Sequence, residues 1–477
     1  MGDAAIEWPT PGAGRTTRRT GDPGRRRLLA VAAQALSLVA AACSNSSGNA
    51  TGSPAAPPGS VGTSIPGGGE AEKVSIEGVP GVTDDEIAFT VIGTKAGNPL
   101  GTCILDCFAD GIDAYFAFRN SQGGVQGRQL VVAKQLDDEV GQNQVRALEV
   151  TSDEDSFGVF NAPLLASGFE TLAEARIPTY VWAINFNDMA GHDSIYGNLG
   201  VTCVSCSQRG TIYAAKDSGA TKVAALGYGV TQASKDCVES QRRSVEMHGD
   251  ELGIEMVYAN PELPYGLPNG VAPEVTAMKD AGVDFIFTCI DLNGTKTFAQ
   301  ELERQGMADV PMLHQNTYDH AFVAEGDPLF EGDILAPRFR PFEASNEGAL
   351  ADYFEWIDQT GSARSELAMV GWINADIAYQ GLLAAGPDFD REKVIAATNA
   401  MTDYSADGLL NPIDWSRQHE PATEDDPTTH GYATECISLI RVGPGGSFDL
   451  IGDPDKPFLC WSNANKDWSD PEPTDIE

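Results

Sequence analysis

The stretch "FRNSQGGVQGRQLVV", residues 118–132, places Gly123, Gly124 and Gly127 within five positions. A glycine run this dense either cradles a phosphate or makes a turn. A phosphate loop follows a strand and opens a helix, so that the anion meets the helix N-terminus. The order here is the reverse. Leu105, Phe108, Ile112 and Phe116 recur at helical spacing and predict a helix over 104–119, before the glycines. The strand "RQLVVAKQ" comes after them. Gly123 or Gly124 therefore suits a left-handed helix cap, and Gly127 a tight turn. The stretch joins a helix to a strand and does not bind phosphate.

The same alternation extends in both directions. "EIAFTVI" (86–92) reads as a buried strand, followed by the helix at 104–119, the strand after the glycines and a helix at 142–152. Next come strand "FGVFNA", a helix at 168–176 and strand "IPTYVWAI". A second run begins after residue 206. Its helices lie at 207–218, 232–248, 272–281 and 294–306; its strands are "KVAALGY", "IEMVYA", "DFIFTCI" and "VPMLHQ". Strands alternating with amphipathic helices give parallel sheets covered on both faces, and two runs give two lobes of one α/β architecture. Between 346 and 386 the alternation stops. Leu350, Tyr353, Phe354 and Ile357 mark an amphipathic helix, and "ELAMVGWINADIAYQGLLAAG" is apolar enough for a helix buried all round. "ATECISLIRV", "GPGG" and "SFDLIG" close the chain with a strand and a hairpin.

The 477 residues carry a formal net charge of −38, which excludes nucleic acid as a partner. Arg15, Arg18, Arg19, Arg25, Arg26 and Arg27 all precede the apolar run "LLAVAAQALSLVAAA" (28–42), which ends at Cys43. Its 15 residues fall short of the ~20 that a spanning helix needs. Residues 1–42 thus read as a signal peptide. "LVAAAC" resembles a bacterial lipobox, with Cys43 as the lipidated residue, and "RRRLL" weakly resembles a twin-arginine signal. Residues 43–80, rich in Ser, Gly, Pro and Ala, form a flexible tether. Eight cysteines remain, an even number that suits disulfides in an exported chain. Locality favours Cys103–Cys107, Cys203–Cys206, Cys237–Cys289 and Cys436–Cys460, although other pairings stay open. "CVSC" (203–206) is also a CxxC, which as a redox site would stand at a helix start after a strand in a thioredoxin-like unit.

Taken together, "GVTDDEIAFTVIGTKAG", "GIDAYFAFRNSQGGVQGRQLVVAKQLDDE", "FGVFNAPLLASGFETLAEARIP", "TKVAALGY", "MKDAGVDFIF" and "GWINADIAYQGL" resemble the type I periplasmic binding proteins. The resemblance is to the branched-chain amino-acid (Leu/Ile/Val) group of ABC-transporter substrate-binding proteins, many of them lipoproteins. The pattern N-x-x-GG-V-x-GR-x-L, here from Asn120 to Leu130, is its most specific motif. It implies two Rossmann-like lobes joined by a three-crossover hinge, with crossovers near 200–206, 333–338 and 425–435. Lobe 1 is then 84–203 with 337–428, lobe 2 is 204–335 with 430–465, and 466–477 is an acidic tail. A small molecule, an amino acid or related carboxylate or amide, is expected between the lobes and an ABC permease as partner. The expected body is monomeric, extracytoplasmic and anchored to the cell membrane by lipid, with no cofactor and no metal.

Ligands of open α/β sheets bind beyond the carboxyl ends of the strands. That rule selects Ser167 and Gly168 after "FGVFNA", where the family grips a ligand carboxylate and where helix N–H groups favour an anion. A plain N-cap role for Ser167 fits the spacing equally. It also selects Trp182 and Asn185 beside the next strand, where the chain departs from the small residues and Thr of the family. In lobe 2 it selects Tyr228, Gln232, Asp291, Asn293, Tyr318 and Asp319. Asp319 fits the family's ammonium partner best and Asp291 second. No GxSxG, HExxH or Walker A pattern occurs, which argues against an exported hydrolase or redox lipoprotein. A sensor of the same fold is the other alternative.

Overall fold

The computed structural model describes residues 74–100, 102–200, 203–315, 317–419 and 433–476. The signal peptide, Cys43, the tether up to 73 and most of the third crossover lie outside the described residues.

The first run builds β1 (Glu86–Gly93), α1 (Leu105–Ser121), β2 (Gln129–Asp137), α2 (Asn143–Asp153), β3 (Gly158–Ala162), α3 (Phe169–Glu174), β4 (Thr179–Val181), α4 (Phe186–Met189) and β5 (Ile195–Gly197). These strands form a five-stranded parallel sheet in the order β2-β1-β3-β4-β5. The second run builds α5 (Arg209–Asp217), β6 (Lys222–Tyr228), α6 (Gln232–Leu252), β7 (Glu255–Leu263), α7 (Ala272–Ala281), β8 (Phe285–Cys289), α8 (Leu292–Gln305), β9 (Met312–His314), α9 (His320–Glu325) and β10 (Ile334–Leu335). Three helices follow: α10 (Gly348–Thr360), α11 (Glu366–Ala385) and α12 (Arg391–Thr398). The chain closes with β11 (Thr434–Ile437), β12 (Ile440–Val442), β13 (Phe448–Leu450), β14 (Phe458–Ser462) and β15 (Glu472–Thr474). The second sheet has the order β13-β12-β10-β9-β8-β6-β7, with β12 and β13 joined antiparallel at its edge. A third sheet, β11-β14-β15, is antiparallel.

The glycine stretch is a clasp. Gly123 and Gly124 have φ of +105° and +65°, and their N–H groups donate to Asn120 O and Arg119 O at the end of α1. The Asn120 side chain donates to Leu130 O and accepts from Leu130 N, so helix end and strand start are joined both ways. A Cβ on Gly124 would lie 2.0 Å from Arg128 O. The buried Arg128 guanidinium donates to Thr83 O and Val74 O, pinning the segment that leads into β1. The two fixed polar residues of the motif, Asn120 and Arg128, thus both have backbone partners in the fold, and neither lines the cavity described below.

Helices α10 to α12 return to the first sheet. Gly111 of α1 lies against Ala368 of α11, and Gly371 of α11 against Phe108 of α1. A Cβ at either glycine would come within 1.8 or 2.1 Å of the opposing carbonyl oxygen. The two backbones therefore touch, which only glycine permits. Arg391 of α12 donates to Phe157 O and Ser156 O, and Arg176 pairs with Glu392, fastening the same unit at its far end.

Two expected strands come out differently. "IPTYVWAI" yields only Thr179–Val181: Trp182 N still makes the ladder bond to Asn161 O, but Ala183 N turns to the Asn198 side chain. "ATECISLIRV" divides between two sheets. Cys436 pairs with Cys460 across β11 and β14, while Ile440 pairs with Leu335 of β10. The break falls at Ser438, whose hydroxyl donates to Pro457 O. The segment expected as an acidic tail carries β15. All four local disulfides form: Cys103–Cys107, Cys203–Cys206, Cys237–Cys289 and Cys436–Cys460.

Replacing Gly371 with Ala is expected to push α1 and α11 apart and lower stability by about 1–3 kcal/mol, the usual cost of overpacking a core. Urea unfolding checks it. An unchanged midpoint would show that the helices separate without cost.

Candidate functional site

A cavity of about 1380 Å³ opens beyond the carboxyl ends of both parallel sheets. Pro99 and Leu100 follow β1, Leu164 to Ala166 follow β3, and Trp182 to Phe186 follow β4. From the second sheet, Tyr228 to Gln232 follow β6, Tyr265 follows β7, Ile290 to Leu292 follow β8, and Gln315 with Tyr318 to Ala321 follow β9. Helix α11 adds Glu366, Leu367 and Val370. Five helices, α1, α5, α6, α8 and α9, begin at this cavity as well, because each starts where a strand-end loop finishes.

Of the expected ligand residues, Trp182, Asn185, Gln232, Asp291, Tyr318 and Asp319 line the cavity, together with Tyr228. Ser167, Gly168 and Asn293 do not. The Ser167 hydroxyl accepts from Gln144 N in the first turn of α2, and Gly168 N donates to the Asn143 side chain. Gly168 sits tightly there, with a Cβ at that position only 2.7 Å from Ala147 Cβ. This loop presents Leu164, Leu165 and Ala166 to the cavity in place of a hydroxyl. Neither is Ser167 the cap of α3: the residue before that helix is Gly168, and no side chain caps it. The Asn293 amide donates 3.0 Å to Pro99 O and links α8 to the loop after β1.

Asp291 and Asp319 are both helix caps. Asp291 accepts from Gly294 N at the start of α8, and its other oxygen accepts 2.7 Å from the Tyr228 hydroxyl. Burial, then Asp291, raises the Tyr228 pKa, so its phenol stays protonated as the donor. The Tyr265 ring meets that of Tyr228 edge-on at 5.1 Å. Asp319 accepts from Phe322 N at the start of α9. The Tyr318 hydroxyl donates to Glu343, its ring packs among Phe339, Phe342 and Phe448, and it also accepts from Phe342 N.

Glu366 escaped the sequence reading. It opens α11, behind the Ser365 cap, and lines the cavity with Asp319 as a charged neighbour. Burial first, and then the neighbouring Asp319 charge, push its pKa up to about 8. A helix N-terminus favours the charged form by only about 0.3–1 kcal/mol, less than one pKa unit, so burial wins. The signal was present as a single acid opening the most apolar helix of the chain.

The two arginines of the wall are engaged. Arg338 donates to the Gln208 and Gln315 side chains, and Arg364 pairs with Asp358 while covering the Phe354 ring. Among the described residues no group of His, Cys, Asp and Glu could hold a metal ion, and no helix is long and apolar enough to cross a membrane.

A cavity at the facing strand ends of two parallel sheets is a site for holding a solute, and the family comparison agrees. Residues 101–434 match the sequence pattern of the family described as periplasmic binding protein. The chain belongs to that family. Solved structures repeat the fold. A fatty acid ABC transporter substrate-binding protein from Thermomonospora curvata superimposes with a TM-score of 0.62 at 18% identity, over 80% of this chain and 94% of that one. A substrate-binding periplasmic protein from Ralstonia solanacearum gives 0.60 at 20% identity, over 77% and 100%. The branched-chain amino acid transporter substrate binding protein LivJ from Streptococcus pneumoniae, in complex with isoleucine, gives 0.60 at 14% identity, over 77% and 99%. At these identities the likeness is one of fold: the type I arrangement of two Rossmann-like lobes. No curated protein matches the chain.

A carboxyl whose pKa is higher folded than unfolded binds its proton more tightly when folded. Its contribution to stability is whole below the ordinary Glu value and is lost as pH rises through about 8. The melting temperature is therefore expected to fall between pH 5 and pH 8.5, and to fall less in Glu366→Gln. Equal slopes would mean that Glu366 is ionised throughout.

Proposed function

We propose that this protein is an extracytoplasmic solute-binding component of an ABC transporter. It captures a small organic molecule between its lobes and presents the closed form to a permease. The observation that carries this reading is the cavity itself: loops from the carboxyl ends of both sheets line one space, so one solute touches both. Closure then follows from contacts on both sides, since a solute with equal affinity for open and closed forms would shift nothing. Lobe 1 is taken as 84–203 with 337–428 and lobe 2 as 204–335 with 430–465. The hydrogen bond from Asn293 to Pro99 O crosses that division.

The ligand residues of this reading are Trp182, Asn185, Gln232, Tyr228, Asp291, Tyr318, Asp319 and Glu366. Relatives of the fold are named for fatty acid, isoleucine and 4-hydroxybenzoate, so the scaffold accepts amino acids and carboxylates of different size. This cavity exceeds the roughly 300–1,000 Å³ usual for small-molecule sites, and its wall is mostly apolar, which suits a solute larger than leucine.

A melting-temperature screen of residues 44–477 against amino acids, amides, aromatic acids and amines tests the reading. A solute at 100 times its Kd adds about 2.7 kcal/mol. The hit is expected to quench tryptophan emission and to be lost in Trp182→Ala. A hit that survives that change binds elsewhere, and the cleft would be the wrong site.

Cys43 is the proposed lipid anchor, which with more than one acyl chain gives stable attachment. In a bacterial host the full chain is expected in the membrane fraction and Cys43→Ser in the soluble one. Membrane association that persists in Cys43→Ser would discard the anchor.

A further inference from the structure

Segment 203–208, which leads from the first sheet into α5, runs along the middle of α6. Cys206 O accepts from the Ser240 hydroxyl, and Gln208 N donates to the Ser244 hydroxyl. Gln241 stands on α6 between these two stitches and lines the cavity together with Cys203, Gln208 and Gly210. Glu435, Cys436 and Ile437 of β11 close this end from the other side. The strand-end rule does not reach Gln241, because it lies in the third turn of a helix.

Gln241 is 1% exposed, yet neither its amide nitrogen nor its amide oxygen has a hydrogen-bond partner in the fold. Folded proteins almost always pair a buried polar atom, and leaving one unpaired costs stability. Among the described residues Gln241 is the one cavity-lining side chain with buried, unpartnered polar atoms. Its neighbours are committed to one another. Arg209 pairs with one oxygen of Glu435 at 3.2 Å, and the other oxygen accepts from Gly210 N–H. The side-chain oxygens of Gln208 and Gln315 accept from Arg338. A carboxamide carries two N–H donors and an oxygen with two lone pairs. A group that engages both halves must itself offer a donor beside an acceptor. A carbonyl next to an N–H does so, whereas an ester or carboxylate offers acceptors alone and an ammonium donors alone.

We infer that Gln241 selects the solute by a neutral amide group, a carbonyl beside an N–H, which it pairs through both halves of its own amide at the α5–α6 end of the cavity. This rests on the solute-binding reading above and adds a binding residue and the functional group that it reads. The apolar remainder of the solute then lies toward the first sheet, where Leu164, Leu165, Trp182 and Phe186 line the wall. A charge elsewhere on the solute is compatible with this arrangement.

The probes 4-phenylbutanamide, methyl 4-phenylbutanoate and 4-phenylbutanoate share one shape and differ in the group offered to Gln241. Each is titrated calorimetrically into residues 44–477 at pH 7.5. The amide is expected to bind about tenfold or more tighter than the ester, because the ester leaves the Gln241 oxygen unpaired. Gln241→Met keeps the length of the side chain and removes both hydrogen-bonding halves. This variant is expected to abolish the advantage of the amide over the ester. Without solute it is expected to melt no lower than the unaltered protein, since an unpaired polar group is gone. A lower melting temperature of the solute-free variant would give Gln241 a structural, water-bridged role and overturn the inference. Equal affinity of amide and ester, tightest binding of the carboxylate, or an amide preference that survives Gln241→Met would overturn it as well. Each of these results leaves the solute-binding reading standing. Binding of none of the three would overturn the inference, and the screen described above would then decide the broader reading separately.

Discussion

The contact between α1 and α11 is the constraint on which the architecture rests. Gly111 and Gly371 let the two backbones meet, and no other residue pair would. The consequence reaches beyond packing. Helix α11 comes after the whole second run of strands, yet it packs on the first helix of the chain. The first sheet is therefore covered by α11 only after the chain has left it, laid down the five parallel strands of the other sheet and returned. The N-terminal end of α11, held in place by that crossing, brings Glu366 and Leu367 to the cavity. The N-terminal turn of α1 brings Cys103 and Cys107 to the same wall.

From this crossing the chemistry of the cleft follows. The helices start at the cavity because parallel strands end there, so the fold alone makes a site rich in backbone donors. The sequence then decides how many of those donors stay open. Asp291, Asp319, Thr231 and Ser365 close four helix starts, and two of those caps are acids. At those two starts an acid stands where the fold offers backbone donors, while α1 and α5 start with no side-chain cap. Local capping, worth about 1 kcal/mol to each helix, places two acids in the shared space as a by-product.

Gly123, Gly124 and Gly127 were readable because their meaning depends on order along the chain, which the sequence contains. The strands of the second run were readable for the same reason: each is a short apolar run between turn residues. The loops that reach the cavity were readable through the strand-end rule, and seven of the ten ligand candidates drawn from them line it. Side-chain direction was not readable. Ser167 is on a loop that touches the cavity, but its hydroxyl turns to α2 because Gln144 N needs an acceptor. Asn293 lies in the first turn of α8, two residues from Asp291, and yet points to Pro99 O across the cleft. Glu366 was hidden among 69 acids, since its burial comes from α9 and Tyr318, far away in sequence. The division of "ATECISLIRV" was hidden likewise, because both halves alternate as one strand would.

All four disulfides place at least one cysteine on the wall of the cavity: Cys103 and Cys107, Cys203, Cys237 and Cys289, and Cys436. They join neighbouring segments of the rim: the first turn of α1, the approach to α5, α6 to β8, and β11 to β14. A rim fastened in this way is already shaped before any solute arrives, so capture carries little of the entropy cost of ordering loops. In the closure proposed above, one preformed wall moves against the other. Discrimination between solutes then resides in the fixed outline of the walls. A solute that does not match them meets a surface unable to remould itself around it.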